Sequence, residues 1–205
     1  FPALGFPLTE PRNYFFANLL YMTVNFAVML LIFRRTLWQS LREFEGKMLL
    51  SVLIGFGMCY GANLVLTTAY TVLDIMPENY NQEAVNSLLG GYPLAMTLCT
   101  VVLAPLAEEC LFRGVLFAPL ARRCLPAAYA LSMFLFAGMH VFQFLGSMTA
   151  ANTILCLSLY LPASFSLCWV YQKTGNIWAC IFLHMFINFQ SVLASLLRSL
   201  MQAFL

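Results

Sequence analysis

Apolar runs long enough to cross a lipid bilayer occupy most of this chain. A membrane-spanning helix needs about 20 mostly apolar residues, and charged or turn-forming residues divide the sequence into six such runs. Runs of this length predict an all-α, polytopic transmembrane helix bundle. We expect the spans at about 13–33, 47–75, 92–120, 126–145, 150–171 and 176–197.

The composition agrees with one integral membrane domain over residues 1–205. The chain is 62% hydrophobic and 9% charged, whereas soluble domains carry roughly 25% charged residues. The net charge of +2 gives no indication of a nucleic-acid partner. The seven cysteines include no Cys-x-x-Cys pair and fall mostly in apolar runs. We interpret them as buried hydrophobic residues rather than as disulfides or metal ligands.

The N-terminal end carries no signal-peptide pattern, since neither a basic segment nor a small-residue cleavage site precedes the first apolar run. The sequence begins at Phe1 rather than at a methionine. Further residues, including more spans, could therefore precede it.

Basic residues predict the orientation of the spans, because Lys and Arg concentrate in cytoplasmic loops. With the N-terminus outside, the outer side holds only Arg12 and Arg198, and the polar segment 76–91 has no Lys or Arg. We therefore expect both ends of the given sequence to lie outside. If the source is a bacterium, we expect the protein in the plasma membrane. The inner side then holds seven basic residues: Arg34, Arg35, Arg42, Lys47, Arg122, Arg123 and Lys173.

Local patterns add detail to the predicted bundle. The second run contains Gly55, Gly57 and Gly61, small residues that let helices approach closely. The third run contains Pro105, which removes one backbone hydrogen bond and kinks a helix, so it could open a cavity. Between these runs, residues 84–89 are predicted to form a short interfacial helix.

Two adjacent glutamates, Glu108 and Glu109, lie in the middle of the third run. An ionised carboxylate at bilayer depth costs at least about 2.5 kcal/mol, so the pair indicates a site that is used. Arg113 lies four residues after Glu109, the spacing of an intrahelical ion pair. We expect Arg113 to hold Glu109 and to leave Glu108 free.

The two histidines of the chain, His140 and His184, also lie inside predicted spans. At the helical rise of about 1.5 Å per residue, Glu108 and His140 both fall roughly 21 Å along their helices, and His184 falls roughly 14 Å along its own. The three could therefore meet in one layer near the middle of the membrane. Phe136 lies one turn before His140, and Asn188 lies one turn after His184. Each of these residues alone is more often structural, whereas together they favour a functional site.

The ordered patterns Glu-Glu-x-x-x-Arg, Phe-x-x-x-His and His-x-x-x-Asn resemble those of the CAAX-protease and bacteriocin-processing family, also called the Abi or type II CAAX prenyl endopeptidase family. The match covers residues 93–191, which we take as the core of the domain. The resemblance implies intramembrane hydrolysis of a peptide bond by a glutamate-activated water. It implies catalytic residues Glu108, His140, His184 and Asn188, with Glu109, Arg113 and Phe136 supporting them.

In the implied mechanism, Glu108 is the general base and His140 helps to hold the water. His184 and Asn188 donate hydrogen bonds to the oxyanion. The resemblance implies a peptide or a membrane protein as the substrate, with a prenylated C-terminus as one alternative. The lipid bilayer surrounds the protein.

Alternatives to this mechanism stay open. No cofactor is expected, but zinc bound by Glu108, His140 and His184 is an alternative, although the chain has no His-Glu-x-x-His. A non-catalytic role in bacteriocin immunity or as a scaffold is another. A transporter would often show internal repeats or two broken helices, which are not evident in this sequence.

Overall fold

The computed structural model describes residues 10–203, and within that range the chain is helical with short connections. Six helices are long and apolar enough to cross a membrane, which confirms the all-α polytopic class and the multi-pass location. The signal-peptide prediction concerns residues 1–9, which lie outside the described residues. The helices are α1 (Pro11–Arg42), α2 (Met48–Val72), α3 (Tyr80–Gly91), α4 (Pro93–Ala121), α5 (Leu125–Ser147), α6 (Ala150–Thr174) and α7 (Ile177–Ala203).

Helix α1 differs most from its predicted bounds, because it continues past Arg34 and Arg35 to Arg42. Arginine is a good helix former, so these charges end the apolar run without ending the helix. The extension is held at Ser40, whose backbone oxygen accepts a 2.6 Å hydrogen bond from Asn176 Nδ2. The extra turns therefore pack against the start of α7.

Helix α3 is longer than the interfacial helix predicted over residues 84–89. It begins after Asn79, whose side chain accepts a 3.1 Å hydrogen bond from the backbone N–H of Gln82. This N-cap satisfies one of the donors that a helix start leaves free. Leu88 and Leu89 are buried at its other end, so α3 is anchored to the bundle by its apolar face.

Helix α4 is not a regular α-helix. π-helical turns at Cys99–Leu103 and Cys110–Phe117 flank an α-helical segment, Ala104–Glu109, which contains Pro105. Proline cannot donate a backbone hydrogen bond, and π turns inside α-helices are frequent at functional sites. The distortion predicted at Pro105 thus takes the form of wide turns on both sides of the two glutamates.

The core of the bundle lies where α2, α4, α5, α6 and α7 meet. Its buried side chains include Val52, Phe112, Phe136, Leu167 and Leu183. Helix α6 packs against α2 and α5, whereas α1 packs against α4 and α7.

Close helix contacts were predicted at three glycines of α2. The prediction is confirmed at one of them and is wrong at the other two. A Cβ at Gly55 would lie 2.6 Å from Val170 Cγ2 and 2.9 Å from Leu183 Cδ2, so glycine allows α2 to approach α6 and α7. A Cβ at Gly57 or Gly61 would meet no described atom within 4 Å. Those two glycines face away from the helix contacts.

The burial predicted for the cysteines is found for six of the seven, and for Cys124 it is wrong. All seven thiols are free, six are buried, and Cys124 is exposed between α4 and α5.

Candidate active site

A cavity of about 780 Å³ lies between the spans and reaches the segment that connects α2 to α3. Glu108 of α4, His140 of α5, and His184 and Asn188 of α7 all line it, together with Phe136. Residues from three different spans therefore meet at one cavity, as predicted for Glu108 and the two histidines.

Glu109 and Arg113 form the ion pair that their spacing predicts. Arg113 Nη1 lies 3.1 Å from Glu109 Oε1, and both side chains are fully buried. Arg113 Nη2 also donates to the backbone oxygen of Ser164 at 3.0 Å and to its Oγ at 3.3 Å. The pair thus fixes α4 to α6, and neither residue lines the cavity.

Phe136 separates this buried cation from the cavity. The guanidinium carbon of Arg113 lies 5.2 Å from the centre of the Phe136 ring, within the range of a cation–π contact. The same ring lies 4.8 Å from the His140 ring and 5.6 Å from the His184 ring. Phe136 therefore contacts both histidines, in line with its predicted supporting position.

His184 connects the two glutamates, a relationship that the sequence analysis missed. Its Nδ1 lies 2.8 Å from Glu109 Oε1, and its Nε2 lies 3.8 Å from Glu108 Oε2. A carboxylate only accepts hydrogen bonds, so Nδ1 carries a proton and donates to Glu109. Neutral His184 then presents an unprotonated Nε2 toward Glu108 and can donate there only as an imidazolium.

Glu108 has fewer polar contacts with the protein than Glu109 has. Its side chain is 19% exposed, and it lines the cavity. The 3.8 Å contact with His184 is within ion-pair reach but too long for a hydrogen bond. Glu108 Oε2 is buried and has no hydrogen-bond partner among the described residues. A buried, unpaired carboxylate oxygen is costly, so this atom is suited to a ligand or a water molecule.

His140 is oriented by two contacts. Its Nδ1 lies 2.9 Å from the backbone oxygen of Phe136, so Nδ1 donates and neutral His140 keeps Nε2 as an acceptor. The ring of Tyr160 on α6 stacks on the His140 ring at 4.5 Å between centres, with 23° between the planes. Tyr160 was not among the predicted site residues, because nothing in its local sequence pattern distinguishes it from other aromatic residues.

Tyr160 also connects this site to the segment before α3. Its hydroxyl donates to Asn79 Oδ1 at 3.0 Å and accepts from Asn81 Nδ2 at 3.2 Å. The connecting segment is therefore attached to the residue that stacks on His140.

Asn188 faces the cavity and is anchored to α4. Its Nδ2 donates a 2.8 Å hydrogen bond to the backbone oxygen of Thr100, which lies in the first π-helical turn. A carboxamide nitrogen carries two N–H groups, so one remains for a ligand. Asn188 thus joins two helices, as its structural reading expects, and can still donate within the cavity.

A metal site has no preassembled ligand set in the described part of the chain. Within residues 10–203, no group of three or more His, Cys, Asp or Glu side chains is arranged to hold a metal ion. Glu108, His140 and His184 line the same cavity without forming such a group.

The fold and cavity define the class of this protein, a polytopic membrane protein with glutamate, histidine and asparagine side chains converging between its spans. Residues 90–190 match the model of the family described as type II CAAX prenyl endopeptidase Rce1-like, and all three motifs lie within that range. Over these residues the chain is similar to this family, in agreement with the motif pattern.

A relative in Bacillus subtilis (strain 168), named "Putative membrane peptidase YdiL", is 28% identical over 166 residues. The alignment covers 78% of this chain and 64% of that protein, so the chain spans less than two thirds of the relative's length. No solved structure matches the chain.

Proposed function

We propose that this protein is an intramembrane endopeptidase that hydrolyses a peptide bond with a water molecule activated by Glu108. The observation that carries the proposal is the unpaired, buried Oε2 of Glu108 at the wall of a cavity that it shares with both histidines and Asn188. The family's description as prenyl endopeptidases and the name of the Bacillus relative agree with a peptidase.

Glu108 and His140 would hold the water between them. The water donates one O–H to the Glu108 carboxylate and the other to Nε2 of neutral His140, so an oxygen lone pair is left for the scissile carbonyl carbon. As the new C–O bond forms, the first proton moves to Glu108 and a tetrahedral oxyanion develops. A positioned general base of this kind contributes about 10²–10⁴-fold in rate.

Asn188 is the better of the two expected oxyanion donors. Asn188 lines the cavity and has a second N–H that no hydrogen bond within the described residues uses, whereas neutral His184 has no proton at Nε2 once Nδ1 donates to Glu109. His184 would donate there only when it is doubly protonated, and in that form it would also stabilise the charge of Glu108, whose Oε2 lies 3.8 Å from Nε2. One well-placed oxyanion donor lowers the barrier by about 3 kcal/mol.

Collapse of the tetrahedral intermediate completes the reaction. The carbonyl re-forms, the C–N bond breaks, and the proton held by Glu108 moves to the departing amine. The second water proton remains on the new carboxyl group and then passes to the amine, so the products are a carboxylate and an ammonium group, and Glu108 is ionised again. Glu109 and Arg113 take no proton in these steps; they hold α4 and His184 in place.

Purified protein in lipid nanodiscs, incubated with peptides that carry or lack a C-terminal prenyl group, tests this proposal by mass spectrometry. We expect cleavage by the wild-type protein that falls by about 10²-fold or more in Glu108→Gln. A metal chelator should leave the rate unchanged. Stoichiometric zinc that is lost in His140→Ala and His184→Ala would instead favour the zinc mechanism.

The biological effect of the protein gives a second test against an immunity or scaffolding role. Glu108→Gln should abolish that effect while the variant is still made and folded. An effect that survives this substitution would show that proteolysis is not the function.

A further inference from the structure

The cavity extends beyond the Glu108 region along α1 and α2, where carboxamide side chains line it. Asn18 and Asn25 lie seven residues apart on one face of α1, and Asn63 lies on α2. Helix α1 packs against α4 and α7, whereas α2 packs against α6 and α7. The three carboxamides therefore line one cavity from two helices that pack against different neighbours.

These carboxamides are incompletely satisfied by the protein. Asn18 Oδ1 is buried and has no hydrogen-bond partner among the described residues. Asn63 Nδ2 contacts Cys59 Sγ at 3.7 Å, and sulfur is a weak acceptor. Asn25 Nδ2 donates to the backbone oxygen of Tyr21 at 2.8 Å, which leaves its second N–H and its oxygen. Polar side chains within spans are costly and are usually functional.

The chemistry of this lining selects one ligand class. A carboxamide offers a donor and an acceptor in one plane, which matches a peptide group, whereas an isoprenoid chain makes no hydrogen bonds. An anionic lipid headgroup would favour basic partners, but among the described residues no Lys or Arg lines the cavity. A peptide main chain can satisfy both the donors and the acceptors.

We propose that Asn18, Asn25 and Asn63 form a subsite that binds main-chain amides of the substrate peptide away from the scissile bond. The inference rests on the proposed function and specifies its substrate as a peptide held by its backbone rather than by a lipid group. Substrates of different sequence would then share this mode of binding.

Binding is measured without cleavage by using the full chain carrying Glu108→Gln in nanodiscs. The probe is an acetylated decapeptide of alternating alanine and leucine with a C-terminal fluorophore. The control peptide has the same sequence and is N-methylated at alternate amides. Asn18→Leu and Asn63→Leu should each raise the Kd of the probe about tenfold, the value of one hydrogen bond. N-methylation should weaken binding to the parent protein similarly and to these variants much less.

Two control variants separate this subsite from general damage. Asn63→Gln keeps the carboxamide and should bind the probe within about threefold of the parent. Thr71 is exposed on α2 and does not line the cavity, so Thr71→Val should leave the Kd unchanged. An equal loss in Thr71→Val, equal affinity for the N-methylated probe, or no binding of the unmodified probe would overturn the subsite.

Cleavage of the same peptide by the chain with Glu108 intact distinguishes failure of the subsite from failure of the proposed function. Cleavage with a KM that is unchanged by Asn63→Leu and by N-methylation away from the cleaved bond rejects the subsite and retains the peptidase. Amide-dependent binding without cleavage supports the subsite and rejects the peptidase.

Discussion

His184 Nδ1 lies 2.8 Å from Glu109 Oε1, the same carboxylate oxygen that lies 3.1 Å from Arg113 Nη1. Glu109 therefore does more than neutralise an arginine: it also fixes the orientation and the protonated nitrogen of a histidine that faces Glu108. The two adjacent glutamates are separated in role by geometry, one buried among partners and one at the cavity wall.

Removing either member of the buried ion pair should destabilise the fold. Glu109→Ala or Arg113→Ala leaves a buried charge without its partner, a change that costs about 3–5 kcal/mol in soluble proteins. Glu108→Ala and His140→Ala remove side chains at the cavity wall, so they should abolish cleavage with little loss of stability. Melting temperatures of the four variants in detergent test this division, and equal losses in all four would contradict it.

Tyr160 should act on the reaction through His140. Tyr160→Leu removes the stacked ring, and the resulting misplacement of the imidazole should lower kcat between about ten- and a hundredfold with little change in KM. Tyr160→Phe keeps the stack and loses only the hydrogen bonds to Asn79 and Asn81, so it should recover most of kcat. Steady-state kinetics measures kcat and KM separately for the two variants. Equal kcat values for Tyr160→Leu and Tyr160→Phe would exclude a positioning role.

Two of the three glycines of α2, Gly55 and Gly57, provide a matched test of helix packing. Gly55→Ala places a methyl group 2.6 Å from Val170 Cγ2, which forces α2 away from α6 and should cost about 1–3 kcal/mol. Gly57→Ala meets no described atom within 4 Å and should leave the melting temperature unchanged or slightly raised, since alanine favours a helix. Equal melting losses would show that the contact at Gly55 does not hold the helices together.

Local periodicity predicted the contacts that lie within one helix. The pair Glu109–Arg113 follows from a spacing of four residues on a helix, and six apolar runs are sufficient to predict six spans. Contacts between helices were different. His184 is 75 residues from Glu109, and Tyr160 lies on a different helix from His140, so no spacing in the chain brings them together. The π turns of α4 depend on backbone hydrogen bonding, which the order of residue types does not determine.

The orientation of the bundle can be tested at Cys124, the exposed cysteine among the described residues, where the six other thiols are buried. Cys124 follows Arg122 and Arg123, which the distribution of basic residues assigns to the inner side. A membrane-impermeant maleimide should therefore label the protein only after cells are permeabilised, and Cys124→Ser should remove that label. Labelling of Cys124 in intact cells would reverse the predicted orientation, and the end of the cavity near α3 would then face the cytoplasm.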